Sequence, residues 1–172
     1  MGVRFNIHAL SPISGSLILS LILIFWDAVI SGSYMFSALV CPVWFLVALF
    51  RAGISPAAPG VSPARILAPV FTLILVIANA NIQIAIAEAN AAKVIRACER
   101  YHEANGAYPN KLADLIPHYL SSIPMAKYCL MEGEFTYWGP PQTQNPMLKW
   151  VQLPPFGRQI YDFERHDWGY VD

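Results

Sequence analysis

The chain has 172 residues, a formal net charge of zero, 56 % hydrophobic residues and only 13 % charged residues. The hydrophobic share exceeds that of ordinary globular domains and the charged share is about half of theirs, which indicates a membrane protein built from one or two small units. Neither half of the chain is basic enough to bind nucleic acid, so no nucleic-acid partner is expected.

Two apolar segments come first in the chain. Their cores lie at 17–26 and 34–50, and the sequence Ser-Gly-Ser at 31–33 predicts a tight hairpin between them at a membrane surface. Asp27 is the one acid in these segments, and its place near the hairpin favours a solvated interfacial carboxylate over a functional intramembrane one. A signal peptide is the alternative for the first segment, but no A-x-A cleavage site follows it.

The third apolar segment, 66–86, runs without proline or glycine after Pro69 into a charged amphipathic stretch. This pattern predicts one long helix from about Arg65 to Asn105, with its first half in a bilayer and its second half in water. The proline-rich loop before it holds Arg51 and Arg65 and no acid, so the positive-inside rule places that loop in the cytoplasm. Three spans then put the C-terminal part outside.

The remainder predicts a short helix and a small antiparallel sheet. Asn110 is a candidate cap for a helix that turns Leu112, Leu115 and Ile116 inward. KYCLM and EFTYW predict a β-hairpin, and LKWVQL, RQIYDF and WGYV predict three further strands. The expected fold is an α+β membrane protein in three parts: a two-span hairpin with its loop (1–65), the long helix (66–105) and a soluble domain (106–172).

Two cysteines, Cys98 and Cys129, fall in the polar half of the chain. In an oxidising compartment they are a candidate disulfide. Two separate buried thiols are the alternative, because pairing is not readable from sequence.

The order of features after the long helix resembles the type IV pilins and type II secretion pseudopilins over about residues 71–172. A helix closing on a tyrosine, then N-G-x-Y-P, then L-x-x-L, is a common succession in that family. The resemblance implies a pilin-like fold and a bacterial inner-membrane protein with a periplasmic domain, whereas the two additional spans upstream, which make the protein multi-pass, are a departure from the family. The residues that carry it are Tyr101, Asn105, Gly106, Tyr108, Pro109, Leu112 and Leu115.

The chain departs from the family's processing motif. Val70 stands where the family has glycine before its cleavage site, and Leu75 stands where it has glutamate. Prepilin cleavage is therefore not expected. The family's calcium loop has no convincing counterpart either, since Asp162, Glu164 and Asp167 fit a solvated surface better.

No motif for nucleophilic, metal or phosphate chemistry occurs in the sequence, so neither an enzyme nor a cofactor is expected. One hypothesis is a membrane-anchored structural or interaction protein that contacts like helices through Ile74, Ile77 and Ile84. The other is a tethered binding or protective module, outside any filament, that uses its sheet and the loop 139–146. A channel part is disfavoured, because the polar residues Asn79, Asn81 and Gln83 suit helix–helix packing better.

Overall fold

The computed structural model describes residues 11–54, 63–140, 142–154 and 156–172. Its helices come first and its four strands last, which makes the chain an α+β protein with long apolar helices and a small antiparallel sheet. The predicted features within residues 1–10 and 55–62, namely the N-terminal charge and most of the proline-rich loop, lie outside the described residues.

A helical hairpin opens the described chain. Helix α1 spans Ser11–Ile24 and continues into a π-helical segment, Phe25–Ser31, and α2 spans Met35–Ile54. The predicted tight turn is confirmed, and Gly32 takes a left-handed φ of 59° within it. Among the described helices, α2 and the next helix are long and apolar enough to cross a membrane by length and composition, and the apolar helix Gly15–Ser31 is shorter.

The predicted long helix is confirmed. Helix α3 spans Pro63–Asn105, 43 residues, and is roughly 65 Å long at about 1.5 Å per residue. It ends as the sequence predicts, because Gly106 adopts φ 74° and its N–H donates to the His102 carbonyl at 2.8 Å.

One buried stripe, which we call the seam, runs along most of α3. Its members recur at three- and four-residue intervals, so they share one helix face. Helices α1 and α2 pack on the first part of α3, and the sheet domain covers the later part. The same face thus has two different covers, and they meet near the middle of the helix. The seam consists of Pro69, Thr72, Val76, Ala80, Gln83, Ala87, Asn90, Ala91, Val94, Ala97 and Cys98.

The sheet is a four-stranded antiparallel meander in the order β1-β2-β3-β4. The three predicted C-terminal strands are confirmed, and the register pairs Lys149 with Ile160 and Tyr161 with Trp168. Trp150, Leu148 and Phe163 turn toward the seam and complete the core. The strands are β1 Thr136–Trp138, β2 Met147–Leu153, β3 Phe156–Asp162 and β4 Asp167–Val171.

Two local predictions are wrong. KYCLM is a loop and not a strand, and only Thr136–Trp138 of the second predicted strand is extended. The short helix is a 3₁₀ turn, Leu112–Leu115, that begins after Lys111, whose N–H donates to Asp114 at 3.1 Å. Asn110 is therefore not its cap. Leu112 and Leu115 are buried as predicted, whereas Ile116 is 39 % exposed.

Candidate functional site

The turn of the helical hairpin is built around a buried acid. Asp27 is 0 % exposed, and its carboxylate accepts the backbone N–H groups of Phe36 at 3.3 Å and Ser37 at 2.7 Å. These groups belong to the first turn of α2, where N–H donors lack partners within the helix and the helix dipole favours an anion. The prediction of a solvated carboxylate is therefore wrong: Asp27 caps a helix. We call residues 26–37 the hairpin tip.

Small polar residues close the hairpin tip. The Ser31 hydroxyl lies 3.2 Å from the Asp27 carbonyl and 2.9 Å from the Ser33 hydroxyl, and both serines are buried. Gly32 sits between them with positive φ, and a Cβ there would lie 2.8 Å from the Cys129 sulfur. The turn therefore needs glycine for its backbone angle and for the close approach of the soluble domain.

Residues 125–133, here the junction loop, bond to the hairpin tip instead of pairing in the sheet. The Leu130 N–H donates to the Val29 carbonyl at 3.0 Å, and the Met131 N–H donates to the Ile30 carbonyl at 2.9 Å. These bonds use backbone groups that a β-hairpin would have used. They are the physical reason that the predicted strand KYCLM does not form.

Two amides of the α3 seam hold the same loop from the other side. Gln83 makes a paired contact with the Tyr128 backbone: its Oε1 accepts the N–H at 2.8 Å and its Nε2 donates to the carbonyl at 3.1 Å. Asn90 Nδ2 donates to the Met125 carbonyl at 2.9 Å. Sequence reasoning assigned Gln83 to helix–helix packing. The available signal was its position in the seam, between Ala80 and Ala87, where a polar residue needs a partner.

A buried lysine joins the hairpin tip, the junction loop and the sheet. Lys127 is 0 % exposed, and its ammonium donates to the Gly32 carbonyl at 3.3 Å and to the Gln152 carbonyl at 2.6 Å. Burial lowers the pKa of Lys127 to about 8, although Cys129 and Glu132 act in the opposite direction. Sequence reasoning missed this residue, because a lone lysine in an apolar run resembles an exposed strand residue.

The candidate disulfide is absent from the structure, in which Cys98 and Cys129 are both free and buried. Cys98 belongs to the seam, and burial, with a smaller contribution from Glu99, raises its pKa to about 12. Cys129 lies against Gly32, its sulfur is 3.0 Å from the Met131 carbonyl, and burial raises its pKa. Burial thus favours the thiol over the thiolate at both cysteines.

The residues of the N-G-x-Y-P region gather at the opposite end of the domain. Tyr101 packs on Tyr119 with ring centroids 5.4 Å apart, and Asn105 Nδ2 donates to the Tyr101 carbonyl at 2.8 Å. The carbonyl of buried Pro109 accepts the Tyr137 hydroxyl at 2.9 Å. Tyr101 thus packs the end of α3 on Tyr119, and the Tyr137 hydroxyl ties the segment after Gly106 to β1. Leu112 and Leu115 belong to the same core cluster as Leu148 and Trp150 of β2.

Near that end, Tyr108 lies at the centre of a polar cluster. Its hydroxyl donates to Glu99 Oε2 at 3.2 Å, its ring stacks on His102 at 4.3 Å, and His166 Nδ1 lies 3.3 Å from Glu99 Oε1. Burial, reinforced by the Glu99 charge, raises the Tyr108 pKa to about 12. In the described part of the chain, no group of three or more His, Cys, Asp or Glu residues is placed to hold a metal ion. Asp162, a residue of the rejected calcium loop, accepts the N–H groups of its own turn.

An apolar groove of about 470 Å³ opens where the hairpin tip meets the domain. Trp26 and Phe36 form one wall and pack edge to face at 5.5 Å. Met131, Pro154 and Phe156 of the domain form the other wall. The polar side chains named above are hydrogen bonded, whereas the buried Ser37 hydroxyl has no hydrogen-bond partner. The junction opens on an apolar flank.

The surfaces named from sequence are separated in the structure. Ile74 and Ile77 lie on the outside of α3, with Ile74 58 % exposed, whereas Ile84 packs against the core. Loop residues Pro140, Gln144 and Pro146 line a shallow pocket near Tyr108, far along the chain from the hairpin tip. The exposed isoleucines of α3 and the loop 139–146 therefore do not form one surface.

No protein-family model matches the chain, and neither a curated protein nor a solved structure matches it.

Proposed function

We propose that this protein is a membrane-anchored, pilin-like structural or interaction protein that presents residues 106–172 on the outer side of the cytoplasmic membrane. The observation that supports it is the two-part cover of the α3 seam. In its first half, α3 exposes apolar residues such as Ile74 and Phe71, as a helix facing lipid does. In its second half, the seam of α3 forms part of the core of the domain.

In this proposal α1 with the π-helical segment, α2 and α3 each cross the bilayer once. Arg51 and Arg65 flank the loop on the cytoplasmic side, so the hairpin tip and the sheet lie outside. In a bacterium with two membranes the domain is periplasmic. Because the junction loop is bonded to both the hairpin tip and α3, the domain has a defined orientation on the membrane instead of hanging from a linker.

A second candidate is a tethered binding or protective module that does not enter a filament. It is favoured by the packing of α3 against two helices of its own chain, with the Thr72 hydroxyl donating to Ser20 Oγ at 2.9 Å. That packing occupies the seam side of α3 and leaves only the outer side, around Ile74, for like helices. Val70 and Leu75, which replace the family's processing residues, favour the same candidate.

Topology and processing are tested together. We expect the protein purified from membranes to have the mass of the unprocessed 19.1 kDa chain, and protease added to spheroplasts to cut the C-terminal domain. Protection of the domain in spheroplasts, with cutting in inverted vesicles, would contradict the orientation. A mass that corresponds to a chain starting at Phe71 would show that processing occurs. It would then favour a protein that assembles into a pilin-like filament.

Self-association is tested with a photocrosslinking amino acid at Ile74, with Val76 as the control because it is 0 % exposed in the seam. A ladder of multimers from position 74, but not from position 76, supports assembly through like helices. The tethered module is supported if the protein with the crosslinker at position 74 stays monomeric and the protein with the crosslinker at Gln142, in the loop 139–146, forms adducts with another protein.

A further inference from the structure

The junction loop exposes large apolar side chains although several of its backbone groups are hydrogen bonded to the hairpin tip and to α3. Tyr128 is 63 %, Leu130 76 % and Met131 55 % exposed, and Phe156 in the neighbouring β2–β3 turn is 59 % exposed. The one cation of the loop, Lys127, is turned inward and buried, and its one anion, Glu132, is exposed and lines the groove beside Met131. Contiguous exposed apolar side chains of this kind mark a contact surface.

Backbone bonds fix the depth of this surface. Leu130 and Met131 are tied to the carbonyls of Val29 and Ile30, which lie in the last turn before Gly32. The exposed side chains therefore stand level with the end of the first apolar helix.

The surface is continuous with the apolar outside of the helices. Met131 and Phe156 share a groove with Trp26, Phe36 and Leu39. Leu39 is 70 % exposed on α2, so apolar surface passes from the helix to the domain across the groove. Aromatic residues at the ends of spanning helices are typical of the boundary between lipid and water.

We propose that Tyr128, Leu130, Met131 and Phe156 insert into the outer leaflet of the bilayer, at the level of the glycerol groups and upper acyl chains. The domain then rests on phospholipid, and the groove beside Trp26 is filled by acyl chain. Lipid is favoured over a protein partner because the surface continues the apolar faces of the helices at the same depth. This inference rests on the proposed membrane anchoring and adds a second region of membrane contact to it.

The test places a fluorescent amino acid with a dansyl group at one position at a time in the full-length protein, reconstituted in phosphatidylcholine vesicles. Leu130 is the test position. Arg165 is the aqueous control, because its side chain is 83 % exposed in the β3–β4 turn, whose His166 contacts Glu99. This turn is far from the junction loop, because Glu99 lies roughly 24 Å along α3 from Gln83, the residue that contacts the loop, at about 1.5 Å per residue. Ile74 on the outside of α3 is the control for membrane insertion.

We expect lipids spin-labelled at acyl carbon 5 to quench position 130 at least twofold and to leave position 165 unchanged. Lipids labelled at carbon 12 should quench position 74. Quenching at 74 but not at 130 overturns the inference and leaves the anchor standing. Blue-shifted but unquenched emission at 130 also overturns it, because a protein surface then covers the loop. No quenching at 74 removes the anchor, and the inference fails with it.

Discussion

Replacing Gln83 by leucine should free the junction loop while leaving the helices in place. Gln83 supplies both partners of the Tyr128 backbone, an acceptor at 2.8 Å and a donor at 3.1 Å. Leucine has similar bulk and suits the seam, but it cannot form either bond. The loss is therefore confined to the contact between α3 and the loop.

The magnitude follows from two hydrogen bonds and the groups they leave behind. Each bond contributes about 1 kcal/mol net, and a buried group left unpaired costs about 1 kcal/mol or more, so opening of the loop should become easier by about 2–4 kcal/mol. Since about 1.4 kcal/mol corresponds to a factor of ten, amide hydrogen exchange at Tyr128 should accelerate by roughly 30- to 700-fold, up to the rate of a free amide. Leu130 and Met131 should follow to a lesser degree.

The matched control is Asn81→Leu. Asn81 is an exposed amide two positions earlier on α3, and its Nδ2 donates only to the carbonyl of Ile77 in its own helix. Exchange at Tyr128 should stay within about twofold of the unsubstituted protein. The reasoning is refuted if Gln83→Leu leaves the protection of Tyr128 unchanged, or if Asn81→Leu lowers it equally.

Substitutions at three other residues, with Gly15 as a control, test the junction and the helix end. The unfolded chain keeps the Lys127 proton up to its ordinary pKa of 10.5 and the folded chain releases it near 8, so this residue makes stability rise with pH above 8. Thermal unfolding at pH 8 and 9 should show that rise in the unsubstituted protein and lose it in Lys127→Met, whereas an equal rise in both would contradict the assignment. Asp27→Ala should lower stability in detergent by about 1–2 kcal/mol through the lost cap, and Asp27→Asn by less; equal losses would count against capping by the side-chain oxygen. Gly106→Ala should cost about 1 kcal/mol because φ is 74° there and nothing lies within 4 Å of an added Cβ. Gly15→Ala, in equally open space without positive φ, should not destabilise, and a matching loss there would refute backbone strain as the cause.

Periodic features of this chain were readable from sequence. The long helix, its end at Gly106 and the strands β2 to β4 follow from apolar spacing and from glycine, which act within a few residues. These predictions succeed because each element needs only its own residues and one apolar face.

The junction was not readable, because its contacts join residues far apart in the chain. In the sequence Asp27 resembles a solvated carboxylate, because only the folded structure shows that the N–H groups of Phe36 and Ser37 donate to it. Segment 127–131 has the composition of a strand, but the carbonyls of Val29 and Ile30 take its donors. Tertiary hydrogen bonds here outweigh the weak preference of a short segment for strand structure.

The seam of α3 also imposes an order on the folding of the protein, because the elements that cover its two parts are synthesised at different times. The chain leaves the ribosome with its hairpin and α3 first, so the part of the seam that packs on α1 and α2 is covered while the sheet is still being made. The later part of the seam, with Ala87, Ala91 and Val94, stays uncovered until β2 has been synthesised, and β2 begins only at Met147. At about 5–20 residues per second this interval lasts seconds. A chain that stops before Met147 thus keeps α3 packed on α1 and α2 but leaves the later part of its seam uncovered.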